Sequence, residues 1–226
     1  SKGGLLEKDM MLATALVDMY VKCNVLQKAR ELFNLFLLVR DVVSWNILIV
    51  GYVQQGQENE ALKCFFQMQN ENIAPDALTF TSILKACGSI GYLGIGEKIR
   101  CESGKQKLVE KDSVLGATLV EMYAKCGIMS KAQEVFDSLP FQTIGTWTSL
   151  MGGYAQDLMS DQVMECWKRM KMEGISLDAI AYSCLLKTFG SIKSLNKAMN
   201  LHKEIAKDCL LKEDLFLGTG VIDMYI

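Results

Sequence analysis

The chain has 226 residues, half of them apolar, and a net charge of −2. So much apolar content excludes general disorder, because nearly every segment must bury a face. No apolar run approaches the length of a bilayer-spanning helix, and the slight negative charge argues against tight, non-specific binding of nucleic acid, where Lys and Arg usually neutralise phosphate.

In chain order, residues 1–9 read as the tail of a preceding element, and no secretory apolar region opens the chain. A helical period begins near Met10. Leu16, Met19, Tyr20 and Cys23 fall at i, i+3, i+4 and i+7, one face of a 3.6-residue period. A second helix follows, in which Ala29 precedes Phe33 by one turn. Trp45, Leu48, Ile49 and Tyr52 repeat the first spacing, and Ala61, Cys64, Phe65 and Met68 the second. Leu119, Met122, Tyr123 and Cys126, then Ala132, Val135, Phe136 and Leu139, do so again. The alanines allow close helix approach while the following ring fills the next layer. Gly56, Gly88, Gly127 and Gly190 are expected where first helices exit with positive φ, and Pro75 and Pro140 where second helices close. Thirteen helices are expected between about Met10 and Ile226, the last without its partner.

The pairs are copies of one another. SWNILIVGY (44–52) recurs as TWTSLMGGY (146–154), and ALTFTSILKACGSI (77–90) as AIAYSCLLKTFGSI (179–192), both at an offset of 102. TALVDMYVKC (14–23) returns as ATLVEMYAKC (117–126) and begins again as TGVIDMYI (219–226). The long period therefore holds three different sub-repeats. One helix pair cannot bury both its faces, but a stack can, so the fold class is an all-α solenoid. The eight cysteines track the repeats rather than any CxxC spacing, and they are expected as buried free thiols in a reducing compartment.

Catalytic chemistry has little to work with. His202 is the only histidine; HKE at 202–204 matches the H-x-E of zinc deaminases, but no P-C-x-x-C follows. There is no phosphate-cradling Gly-rich loop and no nucleophile elbow. No catalytic residue, metal ligand or cofactor is therefore assigned.

With the repeats laid out, the chain resembles pentatricopeptide repeat proteins. VVSWNILIVGYVQQGQENEALKCFFQMQNENIAPD (42–76) is similar to the 35-residue unit, LVEMYAKCG with KAQEVFDSLP (119–127, 131–140) to its short variant, and ALTFTSILKACGSIGYLGIGEKI (77–99) to its long variant. The order short (10–41), standard (42–76), long (77–112), short (113–143), standard (144–178), long (179–214) and short begun (215–226) resembles the triplets of plant organelle editing factors. The resemblance implies a right-handed α-solenoid of helix-turn-helix repeats that binds single-stranded RNA, one base per repeat, and guides C-to-U editing or other processing of transcripts in a mitochondrion or chloroplast. Other RNA-editing proteins are implied partners; a membrane or a small-molecule substrate is not. Any deaminase activity would belong to sequence outside these residues. The alternative is a tetratricopeptide-like scaffold for a peptide or protein partner, which shares the Ala61–Phe65 spacing, although the required Leu-Gly after Trp45 is missing.

In the family the fifth and last residues of a unit read the base. Carried over, the pairs are Thr14 with Asp41 (G), Asn46 with Asp76 (U) and Thr148 with Asp178 (G). Thr81 with Asp112 and Ser183 with Asp214 belong to long units, which follow the rule poorly. Ala117 with Thr143 departs from the pattern and should be indifferent, and Thr219 implies a purine. The second residues, Met11, Val43, Leu78, Val114, Ile180 and Phe216, would sandwich bases; Gly145 takes that place in the 144–178 unit. Lys22 and Lys125 match a phosphate-contacting position. Asparagine offers the donor and acceptor that uracil needs, a threonine hydroxyl can serve a purine, and the aspartates can at the same time cap the following helix.

Overall fold

The computed structural model describes residues 2–35, 40–105, 112–191, 195–207 and 215–225. Thirteen helices cover the described residues, with no strand among them. They fall into two compact units, Ser1–Leu115 and Gly116–Ile226. The first holds α1 (Lys2–Lys22), α2 (Leu26–Leu35), α3 (Val42–Gln54), α4 (Glu58–Asn70), α5 (Ala77–Ile90), α6 (Leu93–Lys105) and the start of α7 (Ser113–Lys125). The second holds the rest of α7, then α8 (Met129–Ser138), α9 (Ile144–Gln156), α10 (Ser160–Met172), α11 (Ala179–Ser191), α12 (Leu195–Lys207) and α13 (Leu215–Tyr225).

Within each unit the helices form stacked hairpins. In the first, α1 packs on α2 and α3, α3 on α4 and α5, and α5 on α6. In the second, α9 packs on α8, α10 and α11, and α11 on α12 and α13. A first helix thus touches its own partner and the first helix of the next hairpin. The periodic stripes supply this core: Trp45, Leu48 and Ile49 are wholly buried, as are Ala29, Ala61 and Ala132. At two seams the ring from a second helix meets the tryptophan of the next first helix edge-on, Phe33 on Trp45 at 4.5 Å and Phe136 on Trp147 at 4.6 Å between centroids. Such a pair contributes about 0.5–1.5 kcal/mol beyond the area it buries. Arginines lie over both pairs, Arg30 and Arg40 over the first and Arg169 over the second.

Successive first helices approach through glycine. A Cβ on Gly51 would stand 2.5 Å from Val21 Cγ1, and one on Gly153 would stand 2.6 Å from both Ala124 Cβ and Met129 Sδ. These glycines occupy the same place in the two standard repeats.

Several local expectations need correction. Helix α1 begins at Lys2, not near Met10. Among its described side chains Ala13, Val17 and Val21 are buried, while Met19 and, just beyond the helix, Cys23 are exposed and Leu16 and Tyr20 only half-buried. The equivalent Leu119, Met122 and Tyr123 of α7 are fully buried. A stripe is buried only where another helix covers it, and among the described residues no helix precedes α1. Gly56 and Gly127 do turn at φ 66° and 72°, but Gly88 and Gly190 lie inside α5 and α11. The turn after α5 falls at Gly91, φ 68°, with the Tyr92 N–H bonded back to the Cys87 carbonyl at 2.9 Å. Helix α4 ends at Asn70 around left-handed Asn72, so Pro75 sits in the extended linker beyond it, whereas Pro140 does follow α8 closely.

The cysteines also divide. Cys64, Cys87, Cys166 and Cys184 are buried, and burial pushes the thiols of Cys64 and Cys184 up to about 11 and that of Cys166 to about 12. Cys23 and Cys101 are exposed and Cys126 half-buried, contrary to the expectation that all pack inside. No described cysteine is in a disulfide.

Candidate nucleic-acid interface

A first helix begins where its N-terminal amides find an acceptor, and at five places that acceptor is the residue with which the sequence-derived units were expected to end. Asp41 accepts from the Ser44 N–H at 2.8 Å, Asp76 from Thr79 at 2.8 Å and Asp178 from Ala181 at 2.8 Å. Asp112 accepts from Val114 at 2.9 Å and Leu115 at 3.2 Å, and Thr143 from Thr146 at 3.3 Å. Five of the last-residue positions singled out in the sequence are thus helix caps. Asp214 and the side chain of Phe216 lie outside the described residues.

The Asn46–Asp76 pair is in direct contact. Asn46 Nδ2 straddles the carboxylate, 3.0 Å from Oδ1 and 3.1 Å from Oδ2. Asn46 is only 5% exposed. Burial alone would raise the Asp76 carboxyl, but the hydrogen bonds from Thr79 and Asn46 outweigh it and hold the group below its ordinary value.

The hydroxyl positions share another habit. Thr81 donates to the Ala77 carbonyl at 2.7 Å, Thr148 to Gly145 at 3.1 Å and Ser183 to Ala179 at 2.9 Å. With its proton engaged by its own helix, each oxygen is left as an acceptor. Ala117 is half-buried and Thr219 exposed.

The second residues stand in the open. Met11 is 76% exposed, Val43 54%, Leu78 53%, Val114 58% and Ile180 61%, in a chain whose other apolar residues on these helices are largely buried. In the first unit Met11 and Val43 flank a cleft of about 360 Å³ whose lining includes Thr14, Asp18, Asp41 and Ile47. In the second unit Ile180, Thr148, Lys125, Glu121, Ser149 and Gln156 line a cleft of about 240 Å³. Four of the residues singled out in the sequence therefore share one cleft, and three share the other.

Sequence reasoning missed the acids beside the lysines. Lys22 pairs with Asp18 at 2.7 Å and Lys125 with Glu121 at 2.8 Å, each at i, i+4. The VDMYVK and VEMYAK copies carry that spacing openly, so the signal was present. Such surface pairs are weak. Thr79 was missed as well, and no sequence signal pointed to it.

Residues 40–89 and 142–191 match the PPR repeat family. A pentatricopeptide repeat-containing protein of Arabidopsis thaliana named as mitochondrial is 31% identical over 97% of this chain and 21% of its own length. Another from the same plant, named as chloroplastic, is 36% identical over 84% of this chain and 36% of its own length. The chain thus spans between a fifth and about a third of these relatives. In structure it is similar to the pentatricopeptide repeat protein PPR10 in complex with an 18-nt psaJ RNA element, with a TM-score of 0.69 and 20% identity over 88% of this chain and 31% of that one. PPR10 from maize, in a second crystal structure, gives a TM-score of 0.68 over 95% of this chain and 30% of that one, again at 20% identity. By these likenesses the chain belongs to the pentatricopeptide repeat family.

Proposed function

We propose that this chain is a segment of a longer protein and binds single-stranded RNA, each repeat holding one base between exposed apolar side chains and reading its edge with a capped polar pair. The cleft formed by Met11, Val43, Thr14 and Asp41 carries the proposal. A nucleobase is a flat apolar plate with a polar rim, and this cleft offers apolar walls around a hydroxyl and a carboxylate. Exposed apolar side chains recurring at one position of five repeats have a use if bases cover them.

The base assignments follow from the polar groups. Asn46, with its amide nitrogen on Asp76, retains one N–H and an oxygen lone pair for uracil. Thr148, its hydroxyl proton given to the helix, offers an acceptor to the N–H edge of guanine. Thr14 with Asp41 gives guanine by family rule. With the chain running 5′ to 3′ along the RNA, the preferred core is G-U-x-x-G-x-purine. The units follow the short, standard, long order, and plant relatives carry mitochondrial and chloroplastic names. The reading therefore extends to organelle transcripts and to guidance of C-to-U editing, with other editing proteins as partners and any deaminase on a separate part of the protein.

Selection of bound RNA from a random pool tests this. Enrichment of the core is expected, with moderate affinity and a shallow salt dependence because the net charge is near zero and Lys22 and Lys125 already hold acids. No enrichment, or equal affinity for duplex DNA, would contradict the proposal.

A further inference from the structure

Thr79 is the third residue of the repeat after the one that contains Asn46, and on a helix-cap argument its hydroxyl should only serve Asp76. It does more. Thr79 Oγ1 lies 2.6 Å from Asn46 Oδ1 and 2.8 Å from Asp76 Oδ1, and it accepts the Asp76 N–H at 3.2 Å. A hydroxyl has one proton to give. Asp76 Oδ1 already receives the Thr79 N–H at 2.8 Å and the Asn46 amide at 3.0 Å. The Asn46 oxygen is the closer of the two acceptors, and the two-proton supply of Asp76 leaves the hydroxyl proton for it.

We infer that Thr79 is a positioning residue for base choice: by donating to Asn46 Oδ1 while Asp76 accepts from Nδ2, it fixes which end of the Asn46 amide is donor and which is acceptor. The inference rests on the proposed reading of a base by Asn46. Turning the amide over would set its oxygen against the Asp76 carboxylate and take from the Thr79 proton the closer of its two acceptors. The orientation matters because uracil and cytosine present opposite patterns on the same edge, N–H beside carbonyl in one and bare nitrogen beside amino in the other. An amide free to turn over could serve either; one held at both ends serves uracil. The corresponding third residue behind Thr148 is Ala181, which has no hydroxyl to offer.

The test uses the 226-residue chain and two RNA oligonucleotides carrying G-U-x-x-G-x-purine and G-C-x-x-G-x-purine, identical elsewhere. Thr79→Val removes the hydroxyl at constant shape. It should lower the U-over-C affinity ratio roughly three- to tenfold, the worth of one net hydrogen bond, with a smaller change in affinity for the U oligonucleotide. Thr79→Ser should restore the wild-type ratio, which a purely structural role would not require. Asn46→Ala separates the two layers of argument. If it abolishes the U preference and Thr79→Val leaves the ratio intact, the role of Thr79 is overturned while the reading by Asn46 stands. If Asn46→Ala leaves the ratio unchanged, the reading itself fails and the inference falls with it. Should Thr79→Val not fold, Thr79→Ala gives the same measurement; failure of both to fold would make Thr79 a structural residue and overturn the inference.

Discussion

Leu158 occupies, in the second standard repeat, the place that Gly56 holds in the first, and both backbones are left-handed, φ 57° against 66°. Only glycine adopts that region without steric cost; a side chain there costs roughly 1–2 kcal/mol. Leu158 is 72% exposed, so little packing would be lost with it. Leu158→Gly should therefore raise the urea midpoint of unfolding, by about 1 kcal/mol in stability after glycine's own entropic cost.

Neighbouring glycines should respond with opposite signs. An added Cβ at Gly152 meets only Cys184 Sγ at 4.0 Å, whereas at Gly153 it meets Ala124 Cβ at 2.6 Å, an atom fixed to its backbone. Gly152→Ala should gain up to about 1 kcal/mol of helix propensity. Gly153→Ala should lose about 1–3 kcal/mol by overpacking. Chemical denaturation of the two variants, side by side, checks both; equal responses would show that the helix seam can open freely.

The Asp76 carboxyl lies below its ordinary value, so the folded chain binds fewer protons there than the unfolded chain does. Its contribution is complete above the unfolded carboxylate value near 3.9 and is lost as pH falls through the lower folded one. Wild type and Asp76→Asn should thus differ most in stability at neutral pH and converge on acidification below about pH 4. Urea midpoints measured across that range decide; a gap independent of pH would mean that the charge of Asp76 is not what matters.

Asn46→Thr should move the preferred base at one position from U towards G and leave neighbouring positions alone. A good base-edge contact discriminates by about 1–3 kcal/mol, so the relative affinity should shift roughly tenfold. Binding of oligonucleotides varied at that position, with circular dichroism to confirm folding, is the measurement. An unchanged preference in a folded variant would reduce Asn46 to a helix residue.

What the sequence disclosed follows from the range of the forces involved. Helical period is a property of neighbours along the chain, and the Trp45, Leu48, Ile49 and Tyr52 stripe is buried as the spacing predicts. The repeated copies then imply the stacking. Burial of a face depends on what lies opposite, which is why Met19 of α1 and Cys23 just beyond it are exposed although their pattern matches that of α7. Helix ends are set by competing local options: Gly88 and Gly91 are both able to turn, and α5 runs on to the second. Thr79 was illegible because its partner Asn46 lies 33 residues earlier and belongs to another period.

The capping geometry also bears on how such chains can be cut and rejoined. Asp76 is by count the last residue of one repeat, yet it is bonded both to Asn46 in that repeat and to Thr79 in the next. A cassette exchanged at the nominal boundary would carry away the aspartate and leave behind the threonine that answers it. The natural module for transplantation therefore ends three residues later, after Thr79, with the recipient supplying its helix from Phe80 onwards.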